Sequence, residues 1–299
     1  MKLRILCVAI FASASLTLPA DFAGSERANT CGGERVTIHG GAGDNRIRGT
    51  ESHNVIAAGA GDDTVVGKGG NDTICGGPGD DVLAGGRGVD RLLGGRDSDK
   101  LDGNSGTDAL GGGPGRDVML GGTGNERMSG GGGKDLMKEE EGDGFLNGGT
   151  GDDVLTGIIG IDGLSGGPGN DTIRGGIGFD FLSGGGGNDD LTPDKGHDTV
   201  IGGGGFDIVS YEGEPGPVNV DLRRPQTTSS YGRDRLRTLD GIIGSRFGDR
   251  LSGDDGRNRI VGSRGGDRIA GRGGPDRLFG GPGRDRISGG GGRDRVVQG

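Results

Sequence analysis

From Gly40 to Ser210 a large apolar residue returns at every ninth position, beginning Ile47, Ile56, Val65, Ile74, Leu83 and running through Met119, Met128 and Met137 to Val200 and Val209. Steps of nine give nineteen windows without an insertion, such as GGAGDNRIR, GKGGNDTIC and GGPGDDVLA, and the eighth position is apolar in all nineteen. Internal repetition outranks every other sequence signal, because it fixes the architecture before any local propensity is weighed. Each window has six Gly-rich residues and then a three-residue tail centred on the apolar position. The first part predicts a turn, since Gly permits positive φ and close backbone approach. The tail predicts a short strand with position eight inward and positions seven and nine outward. Two windows make one coil, so residues eighteen apart stack. At about 4.8 Å per coil the array forms a rod on the order of 45 Å long.

Composition sharpens this picture. Gly supplies 78 of 299 residues, aromatics only 3%, and Trp none, which argues against a layered core of helices and bulky side chains. Collagen requires Gly at every third residue and abundant Pro, whereas this chain has 10 Pro. A Gly-rich acidic chain of low hydropathy is otherwise a candidate for disorder. A disordered linker has no reason to hold one apolar residue in phase over so many windows, so the periodicity decides for an all-β parallel solenoid. Its core is one aliphatic side chain per nine residues, worth about 1.5–3 kcal/mol each, against about 1–2 kcal/mol for every residue ordered. Something besides that core must hold the turns.

Position six supplies it. Asp63, Asp72, Asp81, Asp90, Asp99, Asp108, Asp117, Asp135, Asp153, Asp162, Asp171, Asp180, Asp189, Asp198 and Asp207 occupy fifteen of the nineteen windows. Stacked eighteen apart, these carboxylates form two ladders that repel unless neutralised. Oxygen-only donors and flexible coordination favour Ca²⁺ over Mg²⁺. With only His39, His53 and His197 in the chain, zinc and copper are disfavoured.

Windows such as Gly76-Gly77-Pro78-Gly79-Asp80-Asp81-Val82-Leu83-Ala84 and Gly166-Gly167-Pro168-Gly169-Asn170-Asp171-Thr172-Ile173-Arg174 resemble the hemolysin-type, or repeats-in-toxin (RTX), calcium-binding repeat GGxGxDxUx. The resemblance covers most of the chain. It implies a right-handed parallel β-roll with multiple Ca²⁺ ions in the turns, carried here by the position-six Asp residues. Four windows depart from it: Asn45 and Asn54 open the array, Glu126 is one methylene too long, and Gly144 lacks a carboxylate. Turns touching these are expected to bind weakly or not at all, and Glu139–Glu141 reads as a solvated bulge.

After Ser210 the phase is lost. Residues 211–243, with Pro215, Pro217 and the alternating Val218–Leu222, resemble the hairpin-like insert between repeat blocks of serralysin-type proteases. Six further windows follow over residues 244–299, with Asp249, Asp267, Asp276, Asp285 and Asp294 at position six and Asn258 as the exception. Their position seven is always Arg: Arg250, Arg259, Arg268, Arg277, Arg286 and Arg295. This block holds 12 Arg against 7 Asp, while residues 1–210 hold 17 basic and 32 acidic side chains. The Arg face either pairs with neighbouring Asp or forms a strip for an anionic cell-wall or membrane surface. A net charge of −10 with almost no aromatics argues against nucleic acid.

Lys2 and Arg4, the apolar stretch from Ile5 to about Leu18, and Pro19-Ala20 read as a signal peptide over residues 1–20, with a membrane-tethered helix as the alternative. A secreted, extracellular chain results. Residues 21–39 then form an N-terminal cap before the nineteen-repeat roll of 40–210. Cys31 and Cys75 remain as one disulfide or two free thiols. A bridge requires the segment before Gly40 to fold back, because a regular coil separates these positions by more than two turns. The Cys31 region and the tail Val296-Val297-Gln298-Gly299 are the candidates for covering the two ends of the rod. No His-Glu-x-x-His motif or phosphate loop occurs, so the chain reads as non-catalytic. Three roles stay open: a calcium-ordered structural module, a surface adhesin using the Arg strip, and the non-catalytic remnant of an RTX enzyme or toxin.

Overall fold

In a computed structural model, residues 29–224 and 226–299 are described, and they form a parallel β-roll with no helix. The expected signal peptide lies outside the described residues. Strands alternate between two facing sheets, one of 11 strands and one of 14. Register follows the eighteen-residue coil: Ile56 pairs with Ile74, Leu83 with Leu101, and Leu146 with Leu164. Period-two alternation aims position eight inward, and from Ile56 to Val209 every one of these residues is at most 2% exposed. The core is thus a single file of side chains from each sheet. Met119, Met128 and Met137 fill three consecutive inward positions, where a flexible thioether adapts to irregular turns outside.

Turn geometry explains the glycines. Gly77 at position two has φ +123°, and a Cβ there would collide with the Gly59 carbonyl oxygen of the preceding coil. Only a residue without a Cβ meets that approach without strain.

The segment 211–243 differs from the expected insert. Its strands Arg235–Arg237 and Gly241–Ile243 continue the 11-stranded and 14-stranded sheets, pairing with Thr199–Gly205 and Ile208–Ser210. Its strand Asn219–Asp221 opens a four-stranded sheet that alternates with the 14-stranded one to the end of the chain. Only the stretch between these strands leaves the roll, folded on itself by the mutual backbone bonds of Asn219 and Thr228. Buried Tyr211, Val218, Leu236 and Leu239 attach it to the core.

The N-terminal hairpin, Thr30–Cys31 against Glu34–Arg35, does fold back, and Cys31 is bonded to Cys75 with Cα atoms 5.8 Å apart. It does not cover the end of the rod. Cys75 follows inward Ile74 in its strand and therefore points outward, so the hairpin lies on the outer face of the sheet. There Val36, Val55 and the two cysteines form a small cluster, and Arg91 donates to the Gly32 carbonyl at 2.7 Å. The tail is no cover either. Arg295–Val297 is itself the last strand, with Val296 and Val297 exposed.

Candidate metal centre

The turns bring the position-six carboxylates to the two edges where the chain passes between sheets. One edge carries Asp63, Asp81, Asp99, Asp117, Asp135, Asp153, Asp171, Asp189 and Asp207; the other carries Asp72, Asp90, Asp108, Asp162, Asp180 and Asp198. All are at most 2% exposed. Each ladder is bonded through its backbone: the Asp63 N–H donates to Asp81 Oδ1 at 2.8 Å, Asp81 to Asp99 at 2.9 Å, and Asp99 to Asp117 at 2.9 Å. One carboxylate oxygen therefore ties each turn to the previous coil.

The other oxygen has no partner. Oδ2 is buried without a hydrogen bond in all fifteen of those residues, and also in Asp267, Asp276 and Asp285. Orphaned buried acceptors are costly, at about 1–3 kcal/mol each and more when charged. Burial accordingly pushes these carboxyls upward: Asp99 and Asp198 to about 8, Asp108, Asp135, Asp171 and Asp180 to about 7, and Asp81, Asp117, Asp162, Asp207 and Asp267 to about 6. The donated N–H opposes the shift without cancelling it.

These orphaned oxygens face other oxygens. A Cβ on Gly76 would collide with Asp81 Oδ2 and lie 2.6 Å from the Gly94 carbonyl oxygen of the next coil. The same convergence occurs at Gly166, between Asp171 Oδ2 and the Gly184 carbonyl oxygen at 2.7 Å. A carboxylate oxygen without a donor and a backbone carbonyl oxygen close to one position suit a hard cation. Among the described residues no three His, Cys, Asp or Glu side chains converge, so such a site combines ladder carboxylates with backbone carbonyls. That donor set fits Ca²⁺ and not a nitrogen- or sulfur-seeking metal. Two of the histidines have other partners, His197 stacking on Phe179 at 5.6 Å and His53 lying beside Glu34 at 3.3 Å.

Two predicted ligands fall outside this pattern. Asp249 is fully engaged: Oδ2 accepts the Ser245 N–H at 2.7 Å and Oδ1 accepts the Ser245 hydroxyl at 2.8 Å. Asp294 sits in the last turn, and its Oδ2 is not among the buried orphans. Asn54 and Asn258 take local donors in the same way as Asp249, from the N–H groups of Thr50 and Asp254.

Two ladder residues lie between the two blocks, where no windows were counted. Asp234 accepts the Asp198 N–H at 3.1 Å, and Asp240 accepts the Asp207 N–H at 3.1 Å, so both ladders run on through the segment 211–243. Asp234 differs chemically, because Tyr211 donates its hydroxyl to Oδ2 at 3.0 Å. The signal was available: Gly232-x-Asp234-x-Leu236 keeps the phase of the first block, with Asp234 lying 27 residues after Asp207, and Asp240 and Ile242 keep the phase of the second, nine residues before Asp249 and Leu251.

The expected bulge is absent. Glu139 is 0% exposed and turned inward, and bridges from Thr123 to Glu141 and from Glu141 to Ile159 keep the coil register. The Arg strip is likewise two columns on different sheets, Arg259–Arg277–Arg295 and Arg250–Arg268–Arg286. Among the described residues none of these six forms an ion pair.

A family profile described as the RTX calcium-binding nonapeptide repeat (4 copies) matches residues 39–74, 76–110, 102–137, 140–158, 165–200, 194–209, 243–276 and 261–296. No curated protein matches the chain.

Proposed function

Since the chain belongs to the RTX calcium-binding repeat family, whose nonapeptides bind multiple Ca²⁺ ions, we propose that it is a secreted structural and binding module that folds when Ca²⁺ enters its turns. The calcium-binding β-roll is the premise; export, coupled folding and the absence of catalysis are the proposal. The observation that carries it is the row of buried Oδ2 atoms without donors. A fold that buries ionised carboxylates unpaired is unfavourable by itself, and a divalent ion between coils removes the cost, so metal binding becomes folding free energy. The apolar N-terminal stretch up to Leu18 supports export into a medium where sites with Kd of about 10⁻⁴–10⁻³ M suffice. The ions would be held by the eighteen orphaned Asp residues and adjacent turn carbonyls, not by Asp249.

Far-UV circular dichroism of residues 21–299 tests this. A cooperative coil-to-β change with millimolar or lower Ca²⁺, absent with Mg²⁺ at equal ionic strength, is expected. A β spectrum in chelator at neutral pH that ignores Ca²⁺ would refute the reading.

A second reading rests on the Arg columns. Like charges directly opposite in register are destabilising, and six such residues without ion pairs suit an anionic cell-wall polymer or lipid surface rather than nucleic acid. Binding of the calcium-loaded chain to anionic vesicles is expected to weaken with salt, and again on replacing Arg259, Arg277 and Arg295 by Gln. Undiminished binding by that variant removes this reading.

A further inference from the structure

One stretch of the second ladder breaks the rule that each coil contributes its carboxylate from position six. Glu126 stands at that position in one coil, and in the next coil Gly144 has no side chain. The vacancy is filled from five residues earlier. Glu139 replaces the glycine usual at position one, and its Cγ lies 2.7 Å from where a Cβ on Gly144 would sit. Its carboxylate turns towards Gly121, where a Cβ would collide with Glu139 Oε2 and lie 3.3 Å from Glu126 Oε2. The two carboxylates, from successive coils, therefore flank one small space.

Both side chains are at most 1% exposed, and all four of their oxygens are buried without a hydrogen-bond partner. This differs from a regular turn, where Oδ1 is already engaged by the N–H of the preceding coil. We propose that Glu126 and Glu139 form a separate two-carboxylate Ca²⁺ site on this edge of the roll, Glu139 supplying the carboxylate that Gly144 lacks. The proposal rests on the calcium reading of the family and adds a site outside its repeat motif. Affinity for Ca²⁺ rises with the charge of the ligand set, so this site is tighter than one built around a single carboxylate. The competing occupant is a proton shared by the pair.

Calcium stoichiometry of the full chain, by equilibrium dialysis and native mass spectrometry, separates these occupants. Glu139→Gln is expected to lose one Ca²⁺ per chain and to raise the Ca²⁺ midpoint of folding several-fold. The double variant Glu139→Gly/Gly144→Asp restores an ordinary turn, and the expected count is that of the wild type. The proposal is overturned if Glu139→Gln keeps the wild-type count, or if the double variant gains an ion, which would mean that the wild-type pair holds a proton. Should Glu139→Gln fail to fold, the double variant alone decides. Wild-type protein that binds no Ca²⁺ at all overturns the family-based reading together with this one, whereas an unchanged count in Glu139→Gln overturns this one alone.

Discussion

In calcium-stripped buffer the chain is expected to be unfolded at about pH 8 and to gain β-structure on acidification to about pH 5, the reverse of its behaviour with Ca²⁺. The direction follows from the ladder carboxyls. Their pKa values in the roll, about 6 to about 8 for eleven of them, lie above the ordinary value of about 3.9 for an unfolded Asp. A group raised on folding binds more protons in the folded state. Its contribution is fully present below the unfolded pKa and is lost as pH rises through the folded one. The window is therefore about pH 4 to 8. A tenfold change in proton affinity corresponds to about 1.4 kcal/mol, so even a change of about a hundredfold at a few of these residues rivals the roughly 5–15 kcal/mol that holds a typical domain. With Ca²⁺ the sign reverses, because the ligand is the ionised carboxylate and protons displace the metal. Circular dichroism across this range, with and without Ca²⁺, should give two curves that cross. A calcium-free chain that only loses structure on acidification would show that the carboxyls are not the source of its instability.

How far the sequence carried this picture depends on whether a feature kept phase. The inward row from Ile56 to Val209 and the position-six Asp ladders follow directly from a count of nine, because stacking coils admit no slippage without moving a core residue into solvent. Asp234 and Asp240 kept phase as well, 27 residues after Asp207 and nine before Asp249, but they escaped because residues 211–228 carry no repeat and the two blocks are out of phase with each other. Glu139 escaped for a different reason. Its role depends on a glycine five residues later, and a run of three glutamates reads as solvated until the space vacated by Gly144 is seen. The engagement of Asp249 was not legible at all: Ser245 donates to it, yet Ser263 at the same position adopts φ +72° and leaves Asp267 Oδ2 bare. Residue type does not decide between these two turns. The division of the Arg residues into two columns was implicit in the eighteen-residue coil, since residues nine apart belong to different sheets.

The sharpest separation of metal ligation from ladder bonding comes from Asp99→Asn. The amide oxygen can still accept the Asp81 N–H now bonded to Oδ1 at 2.9 Å, so the link between coils survives while the charge is removed. Asp99 is among the most strongly raised of the ladder carboxyls, at about 8. In calcium-free buffer near pH 8 the variant is therefore expected to be more stable than the wild type, by about 1.4 kcal/mol for each tenfold rise in proton affinity that folding imposes on the native carboxyl. With Ca²⁺ the order inverts, because a turn in the middle of the ladder loses its charged ligand and the coils on both sides lose a crosslink. Stability in a solenoid is a sum over nearest-neighbour interfaces, so position matters as much as chemistry. Asp294→Asn, in the last turn and outside the set of buried orphans, is expected to change stability by less than about 0.5 kcal/mol in either condition. Denaturant midpoints of the two variants, each measured with Ca²⁺ and in chelator, give four comparisons with the wild type. If Asp99→Asn destabilises in both conditions, its carboxylate acts through the ladder bond and not through a metal. A change of sign between them assigns the buried Oδ2 to the ion.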